Sequence, residues 1–364
     1  MARTIAERVS TSLPFVEPIV FPAQVLAYPE FRYMGSKHRL LPWLHAVLSD
    51  LKFETAADPF SGSGCVSYLL KAMGKRVKGS DFLNFPTVIA SGLVENQSTR
   101  IAPDLAEWLV RHGSASRTFV QDTFKGIFFA PDDLECIDLI WERLDDVEDR
   151  ITRNLILTAL IRASMKKQPR GVFTVGNLPD GSQRYKDGRR DLRLTVREHF
   201  LEQIEIMNRV VFDGPRCLVE RSDALAPNDE PVDLVYFDPP YVPRADDNCY
   251  VKRYHFLEGL SNYWRGMEIL STSKVKKLVK PSTPFSHQRT AIEAFSKLFR
   301  IYADSTVILS YSSNGYPDLE VLVGLLGETK RHVHVDTRAH RYHFGTHKAV
   351  QRSQTTEYLI VGTP

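Results

Sequence analysis

The run Leu234-Val235-Tyr236-Phe237 is followed at once by Asp238-Pro239-Pro240-Tyr241, and this junction constrains the fold more than any other stretch. A short, continuous apolar run reads as a strand buried on both faces, the kind found in parallel sheets covered by helices. The two prolines lack N–H groups and have a fixed φ, so the strand stops in a stiff turn whose carbonyls need donors from outside the ladder. A carboxylate and an aromatic ring are thereby held rigidly at the carboxyl end of a buried strand.

Other strands punctuate the chain in the same way. Residues 52–57, 75–81, 216–221 and 306–312 read as strands, and 331–337 with 355–363 as a terminal hairpin. Between the first two, Val66, Leu69, Leu70 and Met73 fall at i, i+3, i+4, i+7 in a helix from about Cys65 to Met73. A second helix is expected over about 86–97. The stretch from about 103 to 208 is mostly helical, and Thr195 with Glu198 forms a capping box for a helix ending near Val211. The alternation predicts an α/β fold: a doubly wound, Rossmann-like sheet, mostly parallel with an antiparallel C-terminal hairpin strand, plus a mainly helical insertion. Ligands of such sheets bind beyond the carboxyl ends of the strands. Four of those ends carry an acid: Asp58, Asp81, Asp223 and Asp238.

Composition excludes several classes. A chain of 364 residues with 43% hydrophobic and 25% charged residues is that of an ordinary globular protein, long enough for one elaborated domain or two. Cys65, Cys136, Cys217 and Cys249 are widely spaced with no CxxC pair, which argues against a zinc ribbon or disulfide framework and for a reducing cytosol. The longest early uncharged stretch, 18–29, holds three prolines and is too short for a membrane span, so no membrane association is expected. Formal net charge is +3, so any nucleic-acid surface must come from local clustering.

The segment Asp58-Pro-Phe-Ser-Gly-Ser-Gly64 joins the first strand to a helix. Gly62 and Gly64 permit a tight turn and close approach to a ligand at a helix N-terminus. Asp81 closes the next strand, 17 positions past Gly64, where a carboxylate can accept from a ribose diol. The third glycine of a dinucleotide fingerprint is missing, and Asp58 before the loop would repel a pyrophosphate. An acid there suits the amino group of a methionine moiety, which favours S-adenosyl-L-methionine over NAD.

The ordered set FRYMGSKHRLL (31–41), DPFSGSG (58–64), GSD (79–81), RSDA (221–224) and DPPY (238–241) resembles the DNA adenine N6-methyltransferases of the Dam-like, D12 class. The resemblance covers about 28–97 and 215–362 and is loose in between. It implies a methyltransferase sheet and a set of roles. Tyr33, Gly35 and Lys37 look like the segment that closes over the methionine end of the cofactor. Asp58, Phe60, Ser61 and Gly62 match the loop beneath it, with Gly64 and Phe82 counted among the cofactor contacts. Asp81 matches the ribose acceptor; Asp223, with Ala224 beside it, matches the contact to the cofactor adenine. Met34-Gly35-Ser36 stands where the family often has Ala-Gly-Gly.

The chemistry gives the DPPY turn a purpose. Adenine N6 is a poor nucleophile because its lone pair is delocalised into the ring. Asp238 and the Pro239 carbonyl, stiffened by Pro240, would accept its two N–H bonds, and Tyr241 would stack on the flipped base; no metal is required. The resemblance implies that an Asp first position marks adenine-modifying members, where Ser would suggest cytosine N4 and Asn a protein glutamine or another acceptor. RNA adenine methylation, or a non-catalytic nucleic-acid-binding protein on the same fold, are the alternatives.

Between 162 and 197 ten basic residues face three acids, a local excess suited to phosphates. Lys166, Lys167, Arg170, Gln183, Arg184, Lys186, Arg189 and Arg190 are the expected DNA contacts. The expected organisation is a catalytic domain of 1–98 and 212–364, a target-recognition insertion at 99–211, and a second DNA-contacting insertion at 242–285, whose aromatics core packing explains equally well. The expected partner is double-stranded DNA, with a cognate restriction endonuclease or without one, the protein acting as a monomer or a dimer in a bacterial or phage-infected cytoplasm. Five histidines crowd 332–347; solvated or phosphate-facing side chains are expected there, and no metal site is predicted.

Overall fold

A computed structural model of the chain describes residues 20–168, 171–176, 188–226, 230–242, 250–341 and 354–364. Its centre is a seven-stranded sheet: β1 (Thr55–Asp58), β2 (Arg76–Asp81), β3 (Leu218–Arg221), β4 (Leu234–Phe237), β5 (Thr306–Ser312), β6 (His332–Arg341) and β7 (Gln354–Thr363). The strand order is β3-β2-β1-β4-β5-β7-β6. The first five strands pair in parallel and β7 runs antiparallel to both β5 and β6. The chain order reverses between β1 and β4, so the loops leaving these two strands diverge and open a crevice at their carboxyl ends.

The LVYF run is buried throughout, as expected of a strand covered on both faces. Leu234 and Tyr236 join one core cluster; Val235 and Phe237 join the other, which is the period-two alternation of a pleated strand. The first face is covered by α1 (Ala23–Ala27), α2 (Leu41–Ser49), α3 (Cys65–Ala72) and α4 (Asn84–Ala90). The insertion follows with α5 (Pro103–Val110), α6 (Phe119–Phe124), α7 (Pro131–Leu144), α8 (Arg150–Lys166), α9 (Arg190–Arg193) and α10 (Val196–Val210). Its buried residues run into that same cluster. After β4 come α11 (Tyr250–Leu260), α12 (Gln288–Ile301) and α13 (Leu319–Gly327), the last two covering the opposite face.

Local chemistry sets several element ends. Thr195 and Glu198 make both halves of the capping box at the start of α10. The helix expected over about 86–97 begins earlier, at Asn84, and continues as a π-helical turn over Ser91–Glu95. The early start has a distant cause: no side chain of its own caps α4, and the carboxylate of Glu258 on α11 accepts from the N–H groups of Asn84 (2.9 Å) and Phe85 (3.1 Å). In the insertion after the DPPY turn, Phe256, Leu257, Leu260 and Trp264 are core residues packed against Phe124, Phe128 and Phe173 of the first insertion.

Candidate active site

One cleft opens at the β1/β4 switch point, and strand ends supply its floor. Asp58 ends β1, Asp81 ends β2, Asp223 follows β3, and Asp238 follows β4. All four line the cleft, together with Tyr33, Gly35, Lys37, Phe60, Ser61, Gly62, Phe82, Ala224, Pro240 and Tyr241. Residues up to 253 positions apart in the chain (Tyr33 to Ser286) therefore meet at one place. Two expected residues do not form the wall, Gly64 and Pro239.

Gly64 acts by shaping the turn. Its φ is +74°, and a Cβ there would lie 2.9 Å from the hydroxyl of Tyr28, which in turn donates to the Ser63 carbonyl at 2.6 Å. Gly62, at φ +50°, lies under Tyr33, whose ring a Cβ would meet at 3.1 Å. Both positions need the left-handed conformation that glycine adopts without cost from a Cβ. Tyr33 is held from above by α11: its ring stacks on Tyr254 at 5.3 Å and lies 5.5 Å from Tyr250. The Tyr254 hydroxyl donates to the Arg32 carbonyl and accepts from the N–H of Met34. The insertion after the DPPY turn thus clamps the amino-terminal motif over the glycine loop. The sequence carried no sign of this, because aromatic residues at helical spacing read equally well as core.

The carboxylates are poised differently. Asp81 accepts from the N–H of Gly62 at 3.0 Å and of Leu83 at 2.9 Å, so it also braces the glycine loop. Asp58 accepts from Ser67 Oγ at 2.6 Å through one oxygen, while its other oxygen, Oδ1, is buried without a partner, as is Ser61 Oγ. Burial pushes both acids up to about 7, and nearby carboxylates add to the effect: Asp238 and Asp81 on Asp58, Glu258 on Asp81. Burial also raises Asp238, to about 6, against the opposing pull of Lys37.

Lys37 is almost fully buried and its ammonium sits 2.6 Å from Asp238 Oδ1 and 3.0 Å from the Gly35 carbonyl. It also lies 5.1 Å from the centroid of the Tyr241 ring. Lys37 therefore serves the DPPY turn directly, a contact that spacing alone could not place. Tyr236 beneath is a wall residue without a signal in the sequence; residues 283–286 with Pro281, at the end of the insertion expected to lie beside the active site, also form the wall, and Phe285 meets Phe60 edge-on at 5.5 Å.

The basic cluster divides. Lys166, Arg189 and Arg190 line a second cleft with Arg32, Gln168 and Asp191. Acids neutralise part of it: Asp191 pairs with both Lys166 and Arg32, and Glu202 pairs with Arg190. Lys167 corrects the expectation. Its side chain is 2% exposed, lies 3.1 Å from the equally buried Asp133, and donates to the Leu194 carbonyl at 2.7 Å. It faces the core because the helix turns its side chain away from its neighbour Lys166, and it ties the end of α8 to α7 and α10. Arg170, Gln183, Arg184 and Lys186 lie outside the described residues. His332 and His334 are exposed on one face of β6, and among the described residues no cluster of three histidine, cysteine or acidic side chains could hold a metal. No helix among the described residues is long and apolar enough to cross a membrane.

A family model described as D12 class N6 adenine-specific DNA methyltransferase matches residues 33–308, well over half of the chain. The chain is 25% identical to the Type II methyltransferase M2.HphI of Haemophilus parahaemolyticus over 327 residues, 86% of this chain and 92% of that protein. It is 23% identical to the modification methylase LlaI of Lactococcus lactis subsp. lactis over 317 residues, 81% of this chain but only 48% of that longer protein.

Proposed function

We propose, from the premise that the chain belongs to the D12 class N6 adenine-specific DNA methyltransferases, that it transfers the methyl group of S-adenosylmethionine to N6 of an adenine turned out of double-stranded DNA. The observation that carries this reading is the meeting of Asp58, Asp81 and Asp238 in one cleft with Tyr241. The unpartnered Asp58 Oδ1 and Ser61 Oγ fit an ammonium donor. The surplus of buried carboxylates fits a cation, and Asp81 fits a ribose diol. Bound there, S-adenosylmethionine supplies an electrophilic methyl on sulfur.

The chain's own residues do the rest. Asp238, with a pKa near 6, is ionised at neutral pH and accepts from N6–H, and Lys37 fixes which of its oxygens is left for the amine. Pro239 offers its carbonyl to the second N–H, and the prolines hold both acceptors without reorganisation. Tyr241 stacks on the base, a contact worth about 1–3 kcal/mol against the few kcal/mol of unstacking and unpairing. Lys166, Arg189 and Arg190 would contact backbone phosphates. A role in restriction-modification, beside an endonuclease or alone, is supported by the names of the relatives.

Incubation with S-adenosylmethionine labelled in the methyl group tests the reading. Label is expected in double-stranded DNA and to be recovered as N6-methyladenine after hydrolysis. Label in RNA alone, or in no nucleic acid, would refute it.

A pH dependence follows from the raised acids. In the free protein Asp58 and Asp81 are partly protonated at neutral pH, and a cationic ligand favours their charged forms. Binding therefore expels protons, and affinity for S-adenosylmethionine rises as pH climbs through 7. Calorimetry in buffers of different ionisation enthalpy should register net proton release; zero release or uptake would contradict the assignment of Asp58.

A further inference from the structure

Glu357 is a fully buried carboxylate in β7, a strand that also buries Thr355, Leu359, Ile360 and Val361. It lies 49 positions beyond residue 308, where the family match ends. Burying a carboxylate is costly unless something is gained from it, and strand pairing with β5, where Glu357 sits opposite Ser312, does not call for an acid. Its carboxylate accepts a hydrogen bond from the Tyr241 hydroxyl at 2.9 Å. Tyr241 is also met edge-on by Tyr311 at 5.0 Å, and the Tyr311 hydroxyl donates to the carbonyl of Tyr316. The ring at the end of the DPPY turn is thus held at its hydroxyl, at its edge, and by the ammonium of Lys37. Ser312 Oγ is buried without a partner, and the strand alternation places it, with Tyr236 and Ser310, on the same face of the sheet as Glu357.

We infer that Glu357 is a positioning residue for methyl transfer: by accepting from Tyr241 it sets the plane in which that ring receives the extruded base. This rests on the reading of Tyr241 as the stacking residue of an adenine methyltransferase. Glu357 does not line the cofactor cleft, so its effect falls on the nucleic-acid substrate and on the rate, through Tyr241 and through Asp238, whose pKa its charge helps to raise. A Tyr241 ring freed to rotate would stack on the base in fewer of its orientations, so the fraction of productive complexes falls.

The test uses wild type, Tyr241→Phe, Glu357→Ala, the double variant and Glu357→Gln, with DNA that lacks N6-methyladenine. Both single truncations are expected to lower kcat about tenfold, the value of one intramolecular hydrogen bond. The double variant falls no further than the worse single, and Glu357→Gln, which still presents an oxygen acceptor, recovers part of the rate. Calorimetric affinity for S-adenosylhomocysteine is unchanged in Glu357→Ala and Glu357→Gln. Losses that multiply in the double variant, or a wild-type kcat in Glu357→Ala, overturn the inference while leaving the methyltransferase reading intact. A wild type that transfers no methyl to DNA refutes that reading instead. The thermal midpoints of the same proteins then decide the pairing: non-additive decrements uphold it and additive ones refute it.

Discussion

Replacing Asp238 by alanine is expected to lower the rate of methyl transfer by about 100- to 1000-fold, the usual cost of removing one preorganised electrostatic partner of a reacting group. Two effects combine. The amine loses the acceptor that orients its lone pair, and Lys37, almost fully buried 2.6 Å away, loses its countercharge. Stranding a buried cation is costly by itself, about 3–5 kcal/mol when both partners are fully buried; the Asp238 side chain is 20% exposed, so the penalty belongs at the low end. Single-turnover methyl transfer separates the catalytic loss from the structural one when a denaturation midpoint is measured beside it. Asp238→Asn keeps an oxygen acceptor of the same shape and should fall between wild type and alanine in rate. A wild-type single-turnover rate in Asp238→Ala would remove the DPPY turn from the chemistry. Loss of the wild-type rate as pH falls through about 6, where Asp238 takes a proton, is the corresponding signature in the unmodified protein.

The second large effect is on stability. Lys167→Ala should cost about 3–5 kcal/mol, because it leaves the carboxylate of Asp133 buried and unpaired. Asp133 also accepts from the N–H of Val196 at 2.6 Å, so the pair joins the start of α7 and the start of α10 to the end of α8. The denaturant midpoint should drop while the salt dependence of DNA binding keeps its slope. A residue that touched phosphate would do the reverse, and a flattened slope with an unmoved midpoint would return Lys167 to the interface. Lys166, one position earlier, makes the contrast internal: it shares Asp191 with Arg32 at the mouth of the second cleft.

That pair of neighbours shows where reading by composition stops. Ten basic residues in a short span are visible in the sequence as charge, but charge density carries no direction, and one helical step of 100° separates a core lysine from a surface one. The same holds for the aromatic run after the DPPY turn. Tyr254 and Phe256 are two residues apart, yet one clamps Tyr33 of the amino-terminal motif and the other fills a core of phenylalanines.

What the sequence by itself determined is everything that depends on local chemistry and chain order. The buried LVYF strand and the proline turn that ends it could be read directly, as could the two glycines of the loop after Asp58, the capping box of α10, and the acids closing successive strands. These are short-range rules of backbone sterics, periodicity and hydrogen bonding, and the parallel sheet follows from their alternation. Tertiary structure alone decided which of those groups touch. Lys37 reaching Asp238, Glu258 capping α4, Glu357 holding Tyr241 and Lys167 pairing with Asp133 all join residues between 34 and 201 positions apart. Such contacts are set by the packing of whole elements, in which burial of apolar faces fixes the positions and the polar side chains then find their partners.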